Sequence, residues 1–276
     1  LSAAPDWLSV QRGDAPLLLS VPHAGTDLRG IEPCLRSPWL ACKDADWWVG
    51  DLYAFAAGLG ASIVQTAVSR SVIDVNRDPS GVSLYPGMAT TELCPTTTFD
   101  GEALYRDETP LTQDEIDLRR RQYFEPYHVS LRSEAQRLLQ RHPRIVVYDC
   151  HSIRSSIPRL FEDQLPQFNI GSNSGQSCAP ALSAAIEASC AASGFSHVLN
   201  GRFKGGYITR ALGRPAEGVH AIQMELACRG YLREPEGPVS PENWPQGFDP
   251  DFAMPIRAVL EDVLRRCIEF ALNPTR

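Results

Sequence analysis

Two histidines stand where apolar runs give way to polar residues. His151 follows Ile145-Val-Val-Tyr148 across Asp149 and Cys150, and His23 follows Leu17-Leu-Leu-Ser-Val21 across a proline. The Ile145–Tyr148 run reads as a short strand buried on both faces, and the Leu17–Val21 run as a second buried strand. Residues beyond the carboxyl ends of strands in an open α/β sheet face the ligand crevice, so both rings are expected in a cleft. A histidine that merely caps a strand is the plainer reading of either one alone, and the pair weighs against it. Asp44 and Asp46 precede apolar residues at helical spacing, Trp48, Leu52, Phe55 and Leu59. One such acid serves as a helix cap or first-turn acid, which leaves the other as a carboxylate ligand, and Asp46 is the choice. Glu225 lies inside the apolar strand His220–Ala227, where a lone acid is costly without a partner or a function. Zinc in hydrolases commonly takes three His or Asp/Glu ligands and keeps one position for water. His23, Asp46 and His151 supply such a set. Zinc brings the pKa of its water to about 7 and polarises a carbonyl. A nearby carboxylate takes the water's proton and passes it to a leaving amine, a role that falls to Glu225. The alternative for Glu225 is a structural pair with an arginine.

Other segments supply charge of the opposite sign. Asp74, Asn76 and Arg77 end an apolar alternation, and an arginine there suits a carboxylate held by two parallel hydrogen bonds. The alternative is an ion pair within the segment. Residues 200–210, Asn-Gly-Arg-Phe-Lys-Gly-Gly-Tyr-Ile-Thr-Arg, form either a surface loop or a lid that closes over an anion. The Gly/Ser-rich turn at 171–178 could cradle an anion with backbone N–H groups, but it lacks the P-loop lysine pattern.

The elements that position these residues read as alternating strands and helices. A helix is expected over 47–59, a strand over 61–68, and a long loop or a loop with a small hairpin over 80–110, suited to one wall of the cleft. Thr112-Gln-Asp-Glu115 is a capping box opening a long helix that Pro126 should kink or divide. Arg119 to Arg121, His128 and His142 read as its solvated face. The strand at 145 follows, and a helix before it implies a crossover in a mainly parallel sheet. A strand at 168–170, a helix over 179–192, the strand at 220–227 and a final helix over 252–272 complete one domain spanning 1–276. The 276 residues carry a formal charge of -7, which argues against a nucleic-acid binder. No apolar run approaches the ~20 residues that span a bilayer. The chain starts at Leu1 without a Met, so a trimmed terminus stays open. The eight cysteines are scattered without a C-x-x-C pair, as expected of reduced thiols in the cytoplasm.

Together, Ser20-Val-Pro-His23-Ala-Gly25, Asp44-Ala-Asp46-Trp47, Ser69-Arg70 through Asp74-Val-Asn76-Arg77, Asp149-Cys-His151-Ser152, the 200–210 segment and Met224-Glu225-Leu226 resemble the N-formylglutamate amidohydrolase family. The resemblance covers nearly the whole chain. That family is related in fold to the zinc carboxypeptidases, which implies an α/β/α sandwich around a mixed, largely parallel central sheet. The resemblance makes His23 and His151 metal ligands, Glu225 the general base, and Asn76-Arg77 the pair holding a substrate carboxylate. Carboxypeptidases place a ligand Glu three residues after the first His, where this chain has Thr26. Asp46 is therefore expected as third ligand, with Asp44 and Asp27 behind it. The implied reaction is zinc-dependent hydrolysis of N-formyl-L-glutamate to L-glutamate and formate in histidine degradation. A second substrate carboxylate would fall to Arg70 or Arg210, with Tyr207 in the same substrate-binding group. The alternatives are a zinc amidohydrolase or carboxypeptidase acting on another N-acyl amino acid or peptide, and a non-catalytic binding protein on the same fold.

Overall fold

The structure, a computed structural model, describes residues 5–83, 87 and 90–273. Its strands are β1 Leu8–Gln11, β2 Leu17–Val21, β3 Ser62–Thr66, β4 Ile145–Ile153, β5 Phe168–Gly171, β6 His197–Leu199 and β7 Val219–Ala227. They make one sheet in the order β1-β3-β2-β4-β7-β5-β6. The pairings β3–β2, β2–β4, β4–β7 and β5–β6 are parallel, whereas β1–β3 and β7–β5 are antiparallel. The helices are α1 Pro38–Cys42, α2 Val49–Leu52, α3 Gln113–Arg119, α4 Glu125–Leu139, α5 Pro180–Ala192, α6 Tyr207–Leu212 and α7 Pro250–Leu272.

The near-continuous apolar runs of β2, β4 and β7 follow from burial on both faces. Alternate residues feed two cores. Leu17, Leu19, Val146 and Tyr148 pack with Leu182 and Ile186 of α5 and Leu260 and Leu264 of α7. Leu18, Val147 and Ala221 pack with Tyr127, Leu131 and Leu138 of α4. Each fully buried aliphatic side chain contributes roughly 1.5–3 kcal/mol, so the sandwich is held from both sides. The expected mixed, largely parallel α/β/α architecture is what forms.

Several elements differ from expectation. β4 does not stop at Tyr148 but continues to Ile153, with all nine residues buried. It stays paired to β7 throughout, His151 opposite Glu225, because the polar side chains of its second half find partners in the cleft. The expected helix over 47–59 is broken into α2 and a 3-10 turn at Ala54–Leu59. Trp48 caps α2 with φ at +61°, a costly left-handed backbone for a bulky residue. Its indole Nε1 donates to the Gln246 carbonyl at 2.9 Å, and Tyr231 Oη donates to the Trp47 carbonyl at 2.7 Å. These contacts hold the turn that carries Asp46 under the sheet's carboxyl edge. The Gly/Ser turn does not present an anion cradle. Ser172 and Ser174 N–H donate to Asn200 Oδ1, and Asn173 N–H donates to the Lys204 carbonyl at 2.6 Å, so the turn grips the 200–206 segment. Residues 80–110 hold isolated bridges, Thr97 with Ala103 and Leu35 with Tyr105, and among the described residues no longer strand.

Thr112 caps α3 by accepting from Glu115 N–H, as the capping box requires. A π turn at Arg120–Phe124 separates α3 from α4, just before Pro126, whose missing N–H interrupts the helical ladder. Arg119 is buried, bonded to the Val72 carbonyl, Tyr105 Oη and Glu115, and is not on a solvated face. His128 is buried as well. Its Nε2 donates to the Val75 carbonyl at 2.8 Å and its ring lies 4.2 Å from that of Phe124. Burial pulls His128 down from 6.5 to about 4. The folded-state value is the lower one, so the unfolded chain takes the proton first and stability is lost as pH falls through 6.5. From pH 7.5 to 5 this site is expected to cost about 2 kcal/mol. Urea unfolding of the parent and His128→Phe at both pH values should differ in their pH-dependent loss by that amount. Equal losses would remove His128 as the cause.

Candidate active site

The cleft opens over the carboxyl ends of β2, β4 and β7, where His23 and His151 are each 2% exposed and Asp46 1%. One ligand atom from each lies within 4.8 Å of the other two. The Nδ1 atoms of His151 and His23 stand 3.2 and 3.7 Å from Asp46 Oδ2. The opposite ring nitrogens are engaged by acids, His23 Nε2 with Asp74 at 2.7 Å and His151 Nε2 with Asp149 at 3.0 Å. A histidine that gives its far N–H to a carboxylate turns the other nitrogen's lone pair toward a metal. His23 Nδ1 is buried with no hydrogen-bond partner, as a ligand atom would be without its ion. Asp46 also accepts from Ser152 N–H at 3.1 Å, which fixes its carboxylate beside both rings. The expected alternatives lie elsewhere. Asp44 accepts from Phe99 N–H and pairs with Arg154, and Asp27 pairs with Arg29.

The electrostatics favour a cation here. Burial alone would raise Asp46, but the His151 and His23 rings beside it hold its carboxyl below the usual range. Burial opposes charge on His151, yet Asp149, Asp46 and Glu225 together outweigh it and lift that imidazole well above its ordinary value. Asp74 is pushed well down in the same way, against its own burial, by His23, Arg77 and Arg70. The residues present therefore fit a divalent ion: an orphaned ring nitrogen, a charged carboxylate, and acids at the far nitrogens that orient both rings.

Glu225 projects from β7 beside His151 and lines the cleft. Burial pushes it up to about 7, with His151 pulling the other way and Asp46 adding to the rise. Gln223 Nε2 donates to its Oε2 at 3.0 Å. A carboxyl that titrates near neutrality beside one that stays ionised is the pattern of paired acid–base roles.

The expected substrate-binding residues divide into two groups. Arg70, Asn76 and Arg77 line the cleft. Arg70 is 7% exposed, bonded to Asp74 at 2.8 Å and Asp46 at 3.4 Å, with Phe99 against its guanidinium. Arg77 donates twice to Thr91, through Nε to the carbonyl and Nη2 to Oγ1. Asn76 Nδ2 is 3.0 Å from His151 Nε2 and 3.3 Å from Asp149 Oδ2. With Nε2 protonated, the amide hydrogen goes to Asp149. Asn76 Oδ1 accepts from Ile208 N–H, so this side chain ties α6 to β4. Tyr207 and Arg210 lie on α6 and do not line the cleft. Tyr207 packs on Phe124 and His128, and Arg210 Nε donates to the Gly205 carbonyl. Sequence reasoning named Asp149, Asp74 and Arg202 only within their segments, without a catalytic or binding role, and passed over Gln223. Asp149 had a usable signal: two residues before His151, it shares a strand face with it.

Two rings that offer nitrogen to an ion, next to an acid poised between its two protonation states, equip a cleft for adding water across a polar bond. The class is that of α/β hydrolytic enzymes with a His–Asp–His candidate metal centre. Within it, the chain belongs to the N-formylglutamate amidohydrolase family, whose model matches residues 15–232. It is 43% identical over 260 residues to an N-formylglutamate deformylase of Pseudomonas putida, covering 94% of each chain. It is 44% identical to one of Pseudomonas aeruginosa over 93% of this chain and 94% of that one. The crystal structure of an N-formylglutamate amidohydrolase from Ralstonia eutropha shares the fold, with a TM-score of 0.76 at 23% identity over 97% of this chain and 98% of that one. Among the described residues no helix is long and apolar enough to cross a membrane.

Proposed function

We propose that this protein is a zinc enzyme that hydrolyses N-formyl-L-glutamate to L-glutamate and formate in histidine degradation. The observation that carries the reading is the placement of Glu225 opposite His151 in the β4–β7 register, beside the His23–Asp46–His151 group. Zinc held by His23, Asp46 and His151 would polarise the formyl carbonyl and acidify a water molecule. Glu225, as carboxylate, takes a proton from the attacking water. The new C–O bond forms at the formyl carbon, Glu225 returns the proton to the amide nitrogen, and the C–N bond breaks to release formate and the amino group of glutamate. Arg77, steadied by Thr91, holds one substrate carboxylate. Asn76 and Arg70 keep His151, Asp74 and Asp46 in place at the same wall, with Tyr207 and Arg210 behind it. We read the chain as one metallohydrolase domain acting on a small N-acyl amino acid, with no nucleic-acid partner. The eight free thiols suit a cytoplasmic enzyme.

The test is formate release from N-formyl-L-glutamate, with N-formyl-L-aspartate as a second formyl substrate and acetate release from N-acetyl-L-glutamate alongside. N-formylglutamate should be hydrolysed with the highest kcat/KM. A preference for the acetyl compound would replace deformylation with another deacylation, and no hydrolysis of any would leave a binding protein.

A further inference from the structure

We propose that Arg202 reads the second, side-chain carboxylate of the substrate. This rests on the deformylase reading, under which the ligand carries two carboxylates beside the reacting amide. The candidate metal group and Glu225 serve the amide, and Arg77 serves one carboxylate. A second cation must reach the same cleft. Arg70 is nearly enclosed and already neutralises Asp74 and Asp46, and Arg210 is outside the lining.

Arg202 does line the cleft, together with its neighbours Leu160 and Phe203. It arrives from the other end of the sheet. Arg77 belongs to the segment after β3, on one side of β4, whereas Arg202 follows β6 at the far edge. An extended diacid can thus be held at both ends with its amide over the centre. The side chain is held at its base: Nε donates to the Leu160 carbonyl at 3.1 Å, and its guanidinium lies 5.4 Å from the Phe203 ring centroid. The segment that carries it is pinned on both flanks. Asn200 accepts from the 172–174 turn, and Gly206 N–H donates to Gln223 Oε1 at 2.7 Å. Gly206 seats so tightly that a Cβ there would meet the Asn76 side chain at 2.3 Å. A cation placed in advance loses little freedom when the anion arrives. Ile153, Leu160 and Phe203 give the same region of the cleft an apolar wall, suited to the methylenes that separate glutamate's two carboxylates.

The experiment compares N-formyl-L-glutamate with N-formyl-L-glutamine, which has the same length but no side-chain charge, in the parent, Arg202→Met and Arg202→Lys. The parent should favour the diacid. Arg202→Met should lose roughly 10–100-fold in kcat/KM on the diacid, mostly through KM, a loss moderated by the only partial burial of this residue. On N-formylglutamine it should change by less than about threefold. Arg202→Lys keeps the charge without the fork and should fall between. An unchanged ratio in Arg202→Met, or equal losses on both substrates, overturns the assignment while the deformylase reading stands. A parent that releases formate from neither substrate overturns both.

Discussion

Glu225→Gln is expected to keep the fold and lose roughly 10²–10⁴-fold in kcat, the scale of a positioned acid–base group. The substitution is nearly isosteric, and its amide oxygen can still accept from Gln223 Nε2. It also removes a buried ionisable group, so stability should not fall. What it removes is the capacity to take a proton from water. The active form is the carboxylate, so kcat/KM in the parent should rise with pH through the pKa of this group. That value is about 7 in the protein alone, and a bound cation moves it lower by favouring the charged form. The acid limb of the profile should vanish in the variant while metal content and the circular dichroism spectrum match the parent. A variant as active as the parent would make Glu225 a structural residue, and an unfolded one would show that its carboxylate holds β7 in place.

His151→Ala should abolish metal binding and, with it, hydrolysis. The parent should carry about one metal ion per chain by elemental analysis, as a catalytic site with three protein ligands requires. After dialysis the variant should carry essentially none, and His23→Ala should match it. Asp74→Asn gives the graded control. Its carboxylate orients His23 through Nε2 at 2.7 Å, and removing such a partner typically costs about 10–100-fold in metal affinity or activity. Full activity in His151→Ala after exhaustive chelation would sink the metal assignment.

His23, His151 and Glu225 were legible in the sequence because each ends or interrupts an apolar run, where burying an ionisable group without purpose is expensive, and Asp46 because two acids precede a helical run that needs only one as a cap. The strands that carry them were legible for the same reason, since burial on both faces leaves an unbroken hydrophobic signature. The β4–β7 register was not, because pairing between remote strands leaves no local mark. Without it the placing of Glu225 against His151 stayed hidden. His128 and Arg119 were misread because polar side chains on a helix are ordinarily solvated, whereas here Val72, Tyr105 and Val75, from segments remote in sequence, supply the partners that let them be buried. The helix expected over 47–59 failed at Trp48, where contacts to Gln246 and Tyr231 override local preference. Arg202 sits in a glycine-rich segment with no periodicity, and only its docking against Leu160 and Gln223 directs it into the cleft.

The strand order has a consequence for how the chain reaches this state. β4 is zipped between strands remote in sequence, with Leu17 opposite Val146 on one side and Glu225 opposite His151 on the other. Such pairings reward the chain only after long loops have closed, and topologies of this kind fold slowly. A nascent chain ending before residue 219 would therefore hold both histidines yet expose one edge of its central strand and lack the base. Catalytic competence arrives with the C-terminal fifth of the chain, and until then the bare edge of β4 is the surface through which two unfinished chains would stick together.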